Sequence, residues 1–300
     1  MKTIEAFEKE IEMQKNFLQR FVPQKTLSEQ KVRKAIFCGA GDSFAVAQLA
    51  EVFSGFRARV FDPLDLLKNK ELSKDRDLYL ISISGNTIAN VKLARAKKNS
   101  TAITANPQSK LAKTCKKSII LKYPSSGIFT SGSISFLSAV MTCISLVSKP
   151  RMRDVPCLYE RAKNQARAVT LRGKIFVLGN LHTYPVAMYA AAKLYETIGA
   201  DAYYERIEEF AHMELFSATK GDTVIIFEEK NNHTALLEKN LKSCGLKVFL
   251  FDPLTKSILD QVLFFIFLSQ FIALFQAKNK KDCFFVEAKK LRSASSSMIY

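Results

Sequence analysis

Leu78-Tyr79-Leu80-Ile81-Ser82-Ile83-Ser84-Gly85-Asn86-Thr87 joins a short apolar run to a hydroxyl-rich turn, and a helix-like run, Ile88 to Lys98, follows directly. An apolar run of this length, closed by turn residues, reads as a buried strand. Strand, turn and helix in that order are the unit of a parallel sheet with crossover helices. The turn places Ser82, Ser84 and Thr87 at a helix N-terminus, where free backbone N–H groups and the helix dipole favour an anion. Gly85 lets the backbone approach an oxygen-rich ligand. The same residue types also make ordinary N-caps and polar turns, so the hexapeptide alone leaves both uses open.

Outward from this stretch the chain repeats itself. Lys34-Ala35-Ile36-Phe37-Cys38-Gly39 is echoed by Lys174-Ile175-Phe176-Val177-Leu178-Gly179, and Val46-Ala47…Ala50 by Val186-Ala187…Ala190. Asp77 to Ser82 corresponds to Asp222 to Phe227, and Ala102 to Pro107 corresponds to Val248 to Pro253. The pattern predicts an α/β fold of two doubly wound parallel-sheet units in tandem, flavodoxin-like in type. The expected divisions are an N-terminal helix over 1–30, a first unit over 31–150 and a second over 157–300. The join falls near Ser148-Lys149-Pro150-Arg151 and Val155-Pro156. Ligands in such sheets bind beyond the C-terminal ends of the strands. The repeat is asymmetric there: after its second strand the second unit has Glu228-Glu229-Lys230-Asn231, acidic and without glycine. A phosphate site is therefore expected in the first unit only.

With 300 residues, 48% of them hydrophobic, the chain is long enough for two cores. Met1 to Gln24 is charged and amphipathic, which does not read as a signal peptide. Val262 to Phe275 is the most apolar run. Ser269 and Gln270 interrupt it, and its length predicts a buried helix rather than a membrane span. The net charge of +17 favours anionic partners in general. Lysines and arginines are scattered among acids, with short clusters at Arg95 to Lys98, Lys149 to Arg153 and Lys278 to Lys281. No basic strand interleaved with aromatics is present, so neither nucleic acid nor membrane is an expected partner. The six cysteines form no C-x-x-C pair, and the three histidines lie far apart. This predicts no metal, no cofactor and a reducing, cytoplasmic setting.

Together, Ser-x-Ser-Gly-x-Thr after the second strand and Gly39-Ala40-Gly41-Asp42-Ser43 after the first resemble the sugar isomerase (SIS) domain family, which binds phosphorylated sugars. The second unit adds Tyr184-Pro185…Lys193-Leu194-Tyr195-Glu196 and Glu209-Phe210-Ala211-His212. These are similar to the isomerase half of glucosamine-6-phosphate synthase, with its Glu and His at the same separation. Archaeal-type phosphoglucose/phosphomannose isomerases carry a Glu and a His at similar places. The chain departs from the synthase at its end, where serines stand in place of a Schiff-base lysine.

The resemblance implies a cofactor-free aldose–ketose isomerase acting on a hexose or hexosamine 6-phosphate through an enediol. Glu196 would be the base and Lys193 its neighbour on one helix face. His212 would open the ring from the neighbouring subunit of a homodimer. Ser82, Ser84, Thr87, Ser43 and Gly41 would hold the phosphosugar, with Ser131 of Thr130-Ser131-Gly132-Ser133 closing over it. Bland alternatives stand beside each residue: a surface ion pair for Lys193 and Glu196, a helix N-cap for Ser43, a bond to Glu208 or Glu209 for His212. His182 is a further candidate at the mouth. Two other functions fit the same residues, a deaminase of glucosamine 6-phosphate and a non-catalytic phosphosugar sensor.

Overall fold

The computed structural model describes residues 1–97 and 99–299, with side chains up to residue 294. Lys98 of the basic cluster therefore lies outside the described residues. Two parallel sheets organise the chain. The first joins β1 (Ala35–Cys38), β2 (Arg59–Phe61), β3 (Asp77–Ile81), β4 (Thr101–Thr104) and β5 (Lys117–Ile120) in the order β2-β1-β3-β4-β5. The second joins β6 (Ile175–Gly179), β7 (Ala202–Glu205), β8 (Thr223–Phe227) and β9 (Lys247–Phe251) in the order β7-β6-β8-β9. The same strands pair in both sheets, but the registers Ile36↔Leu78 and Phe176↔Val224 make Leu78 equivalent to Val224, one residue on from the match of Asp77 with Asp222 in the sequence repeat.

Central strands are mostly apolar and buried because both faces of a parallel sheet are covered. Leu78 and Leu80 pack with Ile36, Cys38 and Ala102 on one face, while Tyr79 stacks on Phe37 on the other, ring centroids 5.1 Å apart. Each fully buried side chain of this kind contributes about 1.5–3 kcal/mol. In the second sheet Phe176, Leu178, Val224 and Ile226 form the matching cluster with Ile207 and Phe210.

The chain divides into two compact units. The first comprises Arg20–Ser125, Gly132–Pro150 and the residues from Ala288 on, and holds β1 to β5. The second comprises Met1–Gln19, Ser126–Ser131 and Arg151–Glu287, and holds β6 to β9. Ser126–Ser131 is thus a short excursion from the first unit into the second.

The apolar helix is longer than Val262 to Phe275. It spans Ile258–Gln276, which by length and composition suffices to cross a membrane, yet 89% of its most apolar 18-residue stretch is buried in the protein. It packs against the helices Val155–Ala166 and Tyr184–Ile198. Its polar interruptions are satisfied internally: Ser269 Oγ donates to the Phe265 carbonyl at 2.6 Å, and Gln270 Nε2 to the Tyr189 hydroxyl at 3.0 Å. It is the core helix of the second unit.

Candidate active site

In the order β2-β1-β3-β4-β5, chain direction across the sheet reverses between β1 and β3, and sheets of this kind bind ligands beyond the C-terminal ends of the strands at that point. Two loops meet there. After β1, a Cβ on Gly39 would lie 2.6 Å from the Ser43 carbonyl oxygen, so only glycine permits the tight turn into the next helix. Gly41 has φ +58° and ψ −131°, a conformation confined to glycine, and nothing lies within 4 Å of where its Cβ would stand. Gly41 is also the N-cap of the Asp42–Phe53 helix. Ser43 therefore sits inside the first turn and is not the N-cap.

After β3, Thr87 occupies the N-cap position of Ile88–Ala96 without capping it through its side chain. Its hydroxyl instead lies 3.0 Å from the Ser82 hydroxyl, which accepts from Gly85 N–H at 3.1 Å. Ser84 Oγ accepts from Asn86 N–H at 3.3 Å. Asn90, one turn into the helix, donates to the Ile81 carbonyl at 2.9 Å and fixes the end of β3. The structure thus brings Ser82, Ser84 and Thr87 together at one helix N-terminus.

Gly85 is required by packing as well as by its place in the turn. Its φ is +66°, and a Cβ would fall 2.4 Å from Ser109 Cβ and 2.7 Å from Thr104 Oγ1. The space it saves is filled by the protein. Gly85→Ala should therefore destabilise the fold by roughly 2–4 kcal/mol, combining left-handed strain with overpacking. Urea unfolding measures this, and an unchanged midpoint would contradict the packing argument.

The second unit repeats the reversal between β6 and β8. A Cβ on Gly179 would meet Thr183 at 2.8 Å, as Gly39 meets Ser43, so Thr183 is the counterpart of Ser43. Here the turn contains a carboxylate of the chain itself. Glu228, immediately after β8, accepts from Asn180 N–H at 3.0 Å and from the Thr183 hydroxyl at 3.2 Å. Burial raises its pKa above the usual carboxylate range, opposed by those two hydrogen bonds. By strand register, Ile36↔Leu78 and Phe176↔Val224, Glu228 is the counterpart of Ser82, one residue beyond the Phe227 that the sequence repeat pairs with it.

The Tyr184–Ile198 helix carries Pro185 in its first turn and ends at Gly199 in the left-handed conformation, φ +67°. Thr183 precedes it, but the hydroxyl is used on Asn180 and Glu228 and does not cap. Lys193 on this helix is fully buried, with its Nζ 2.6 Å from Glu196 Oε2 and 5.0 Å from the Tyr189 ring centroid. An ammonium in that position requires a charged partner, so the pair is not a surface ion pair. The Glu196 side chain is 36% exposed. Its Oε2 also accepts from Ser131 Oγ at 2.5 Å, and Ser131 is buried. Ser131, Lys193 and Glu196 are thus one cluster. Sequence reasoning named all three but placed Ser131 on the sugar, and residues 65 apart gave no sign of the bond.

His212 is not joined to that cluster by hydrogen bonding. It ends the short helix Ile207–His212, its side chain is 73% exposed, and its Nε2 lies 3.3 Å from Glu208 Oε1. His182 Nε2 pairs with Gln261 Oε1 at 2.6 Å. Among the described residues no three His, Cys, Asp or Glu side chains converge as a metal site requires.

No protein-family model and no curated protein sequence matches the chain. Solved structures do match, and they establish its fold. Glucosamine-6-phosphate deaminase from Thermotoga maritima superposes with a TM-score of 0.77 at 19% identity, over 94% of this chain and 96% of that one. Tagatose-6-phosphate ketose/aldose isomerase from Escherichia coli gives 0.67 at 18% identity, over 92% and 90%. The C-terminal domain of glucosamine-fructose-6-phosphate aminotransferase from Francisella tularensis gives 0.63 at 16% identity, over 91% and 94%.

Proposed function

We propose that this protein is a phosphosugar aldose–ketose isomerase of the SIS type, built from two tandem doubly wound units. The observation that carries this reading is a half-exposed carboxylate, Glu196, held by a buried ammonium and a buried hydroxyl. Moving a proton between C1 and C2 needs a base with one fixed position and access to the substrate. Lys193 and Ser131 supply the first, and the exposure of Glu196 supplies the second. The hydroxyls of Ser82, Ser84 and Thr87, with Gly41 and Ser43 opposite, are the residues assigned to the phosphosugar. The carboxylate in the corresponding turn of the second unit supports that assignment.

His212 is assigned to ring opening. Its exposure in a single chain supports a role completed by a second copy, in a homodimer. The substrate class is a hexose or hexosamine 6-phosphate, the reaction runs through an enediol, and no cofactor takes part. Free cysteines throughout the described residues support a cytoplasmic setting.

The deciding experiment offers hexose and hexosamine 6-phosphates to the protein with a strong chelator present, reading ketose formation and ammonia release together. Ketose without ammonia is the expected result. Ammonia from glucosamine 6-phosphate would replace the isomerase with a deaminase using the same groups. Binding with no turnover of any of them would replace it with a sensor.

A further inference from the structure

Resting on Glu196 as the base, we infer that the N-terminal helix Thr3–Gln19 is part of the catalytic apparatus and that Ser131 is a positioning residue for the Glu196 carboxylate. Two separate chains of contact lead from that helix to the two groups that hold Glu196.

The first chain runs through Ser126–Ser131. Buried Glu10 accepts from the backbone N–H of Ser126 at 3.2 Å and from its hydroxyl at 2.9 Å. At the other end of the segment the Thr130 hydroxyl donates to the Thr3 carbonyl at 2.6 Å. Thr3 is itself anchored: its N–H and hydroxyl donate to Asp282 Oδ1 at 3.1 and 3.0 Å, and its Oγ1 accepts from Cys283 N–H at 2.7 Å. The next residue, Ser131, then reaches Glu196 Oε2.

The second chain crosses the core. Gln14 Nε2 donates to Gln270 Oε1 at 2.7 Å, Gln270 Nε2 donates to the Tyr189 hydroxyl, and the Tyr189 ring lies beside Lys193 Nζ. Gln14 and Gln270 are fully buried. Buried amides on two elements distant in sequence fix their relative position, because slippage would leave polar atoms without partners.

Both bonds to Glu196 fall on Oε2. They hold one carboxylate oxygen and leave Oε1 as the oxygen that takes the substrate proton. A base held this way loses rate, not substrate affinity, when a holder is removed.

Ser131→Ala should lower kcat roughly tenfold to a hundredfold, the scale of a mispositioned group, with KM changed less than about threefold. Ser131→Thr, which keeps a hydroxyl, should recover most of the loss. Glu10→Ala should show the same split between kcat and KM, and the double variant should fall short of the product of the two single losses. Should Ser131→Ala fail to fold, Glu10→Ala and Ser131→Thr carry the test. A raised KM with kcat unchanged in Ser131→Ala would make Ser131 a substrate contact and overturn the inference, as would fully multiplicative losses or normal turnover in both single variants. Glu196→Gln separates the two levels: near-normal turnover in that variant removes the reaction itself, whereas deep loss there with normal Ser131→Ala removes only the positioning role.

Discussion

Glu196→Gln should lower turnover by roughly two to four orders of magnitude, the range for a positioned base, while the protein still binds phosphosugar. The amide keeps the shape of the side chain and one oxygen for Lys193 and Ser131, but it cannot accept a proton; because it also leaves the buried Lys193 without its counter-charge, the fold of the variant is checked by urea unfolding beside the kinetics. Ser82, Ser84 and Thr87 belong to the first unit and hold none of the bonds to Glu196, so binding has no reason to fall with turnover. Equilibrium binding beside steady-state kinetics gives both quantities. The same variant tests the role of His212. Co-expression of Glu196→Gln with His212→Ala gives mixed dimers in which one site has both wild-type groups, and part of the activity should return. Near-normal turnover in Glu196→Gln would reject the base. Verified mixed dimers without recovery would reject only the shared site.

Ser84→Asp should weaken phosphosugar binding by roughly ten- to a hundredfold while leaving the free sugar nearly unaffected. A charge-assisted hydrogen bond is worth about 1.5–3 kcal/mol, and a carboxylate in its place adds repulsion. The effect must fall on the phosphate, because the turn at Ser82 to Thr87 presents hydroxyls and backbone N–H groups with no cation among them. Calorimetric titration with the sugar and with its 6-phosphate makes the comparison. Equal loss for both ligands, or none, would remove the turn from the phosphate site.

The strands of the two sheet centres were legible in the sequence because they are buried on both faces and therefore mostly apolar. β2, β5 and β7 were not. Arg59-Val60-Phe61, Lys117-Ser118-Ile119-Ile120 and Ala202-Tyr203-Tyr204-Glu205 are short sheet edges, partly exposed, and carry no periodic signal. Hydroxyls at helix entrances were legible as a group, but their individual use was not. Ser43 reads as a cap, yet it lies two positions beyond the true cap, Gly41, and Thr183, at the N-cap position of its own helix, spends its hydroxyl on Glu228. The bond from Ser131 to Glu196 depends on a chain excursion that only the fold reveals. Gly85 stood out in the sequence, but its close packing against Ser109 and Thr104 is visible only in the fold.

Glu228 gives the two turns opposite thermodynamic characters. The carboxylate of the second unit is a tethered ligand: it loses no translational freedom on docking and cannot be diluted away. That turn is saturated at every concentration of free anion, and folding alone fills it. On the proposed function, the first unit's turn fills only in proportion to the phosphosugar dissolved around it, and each increment of occupancy adds to stability by mass action. On that reading one turn is finished by synthesis and its counterpart by the supply of ligand.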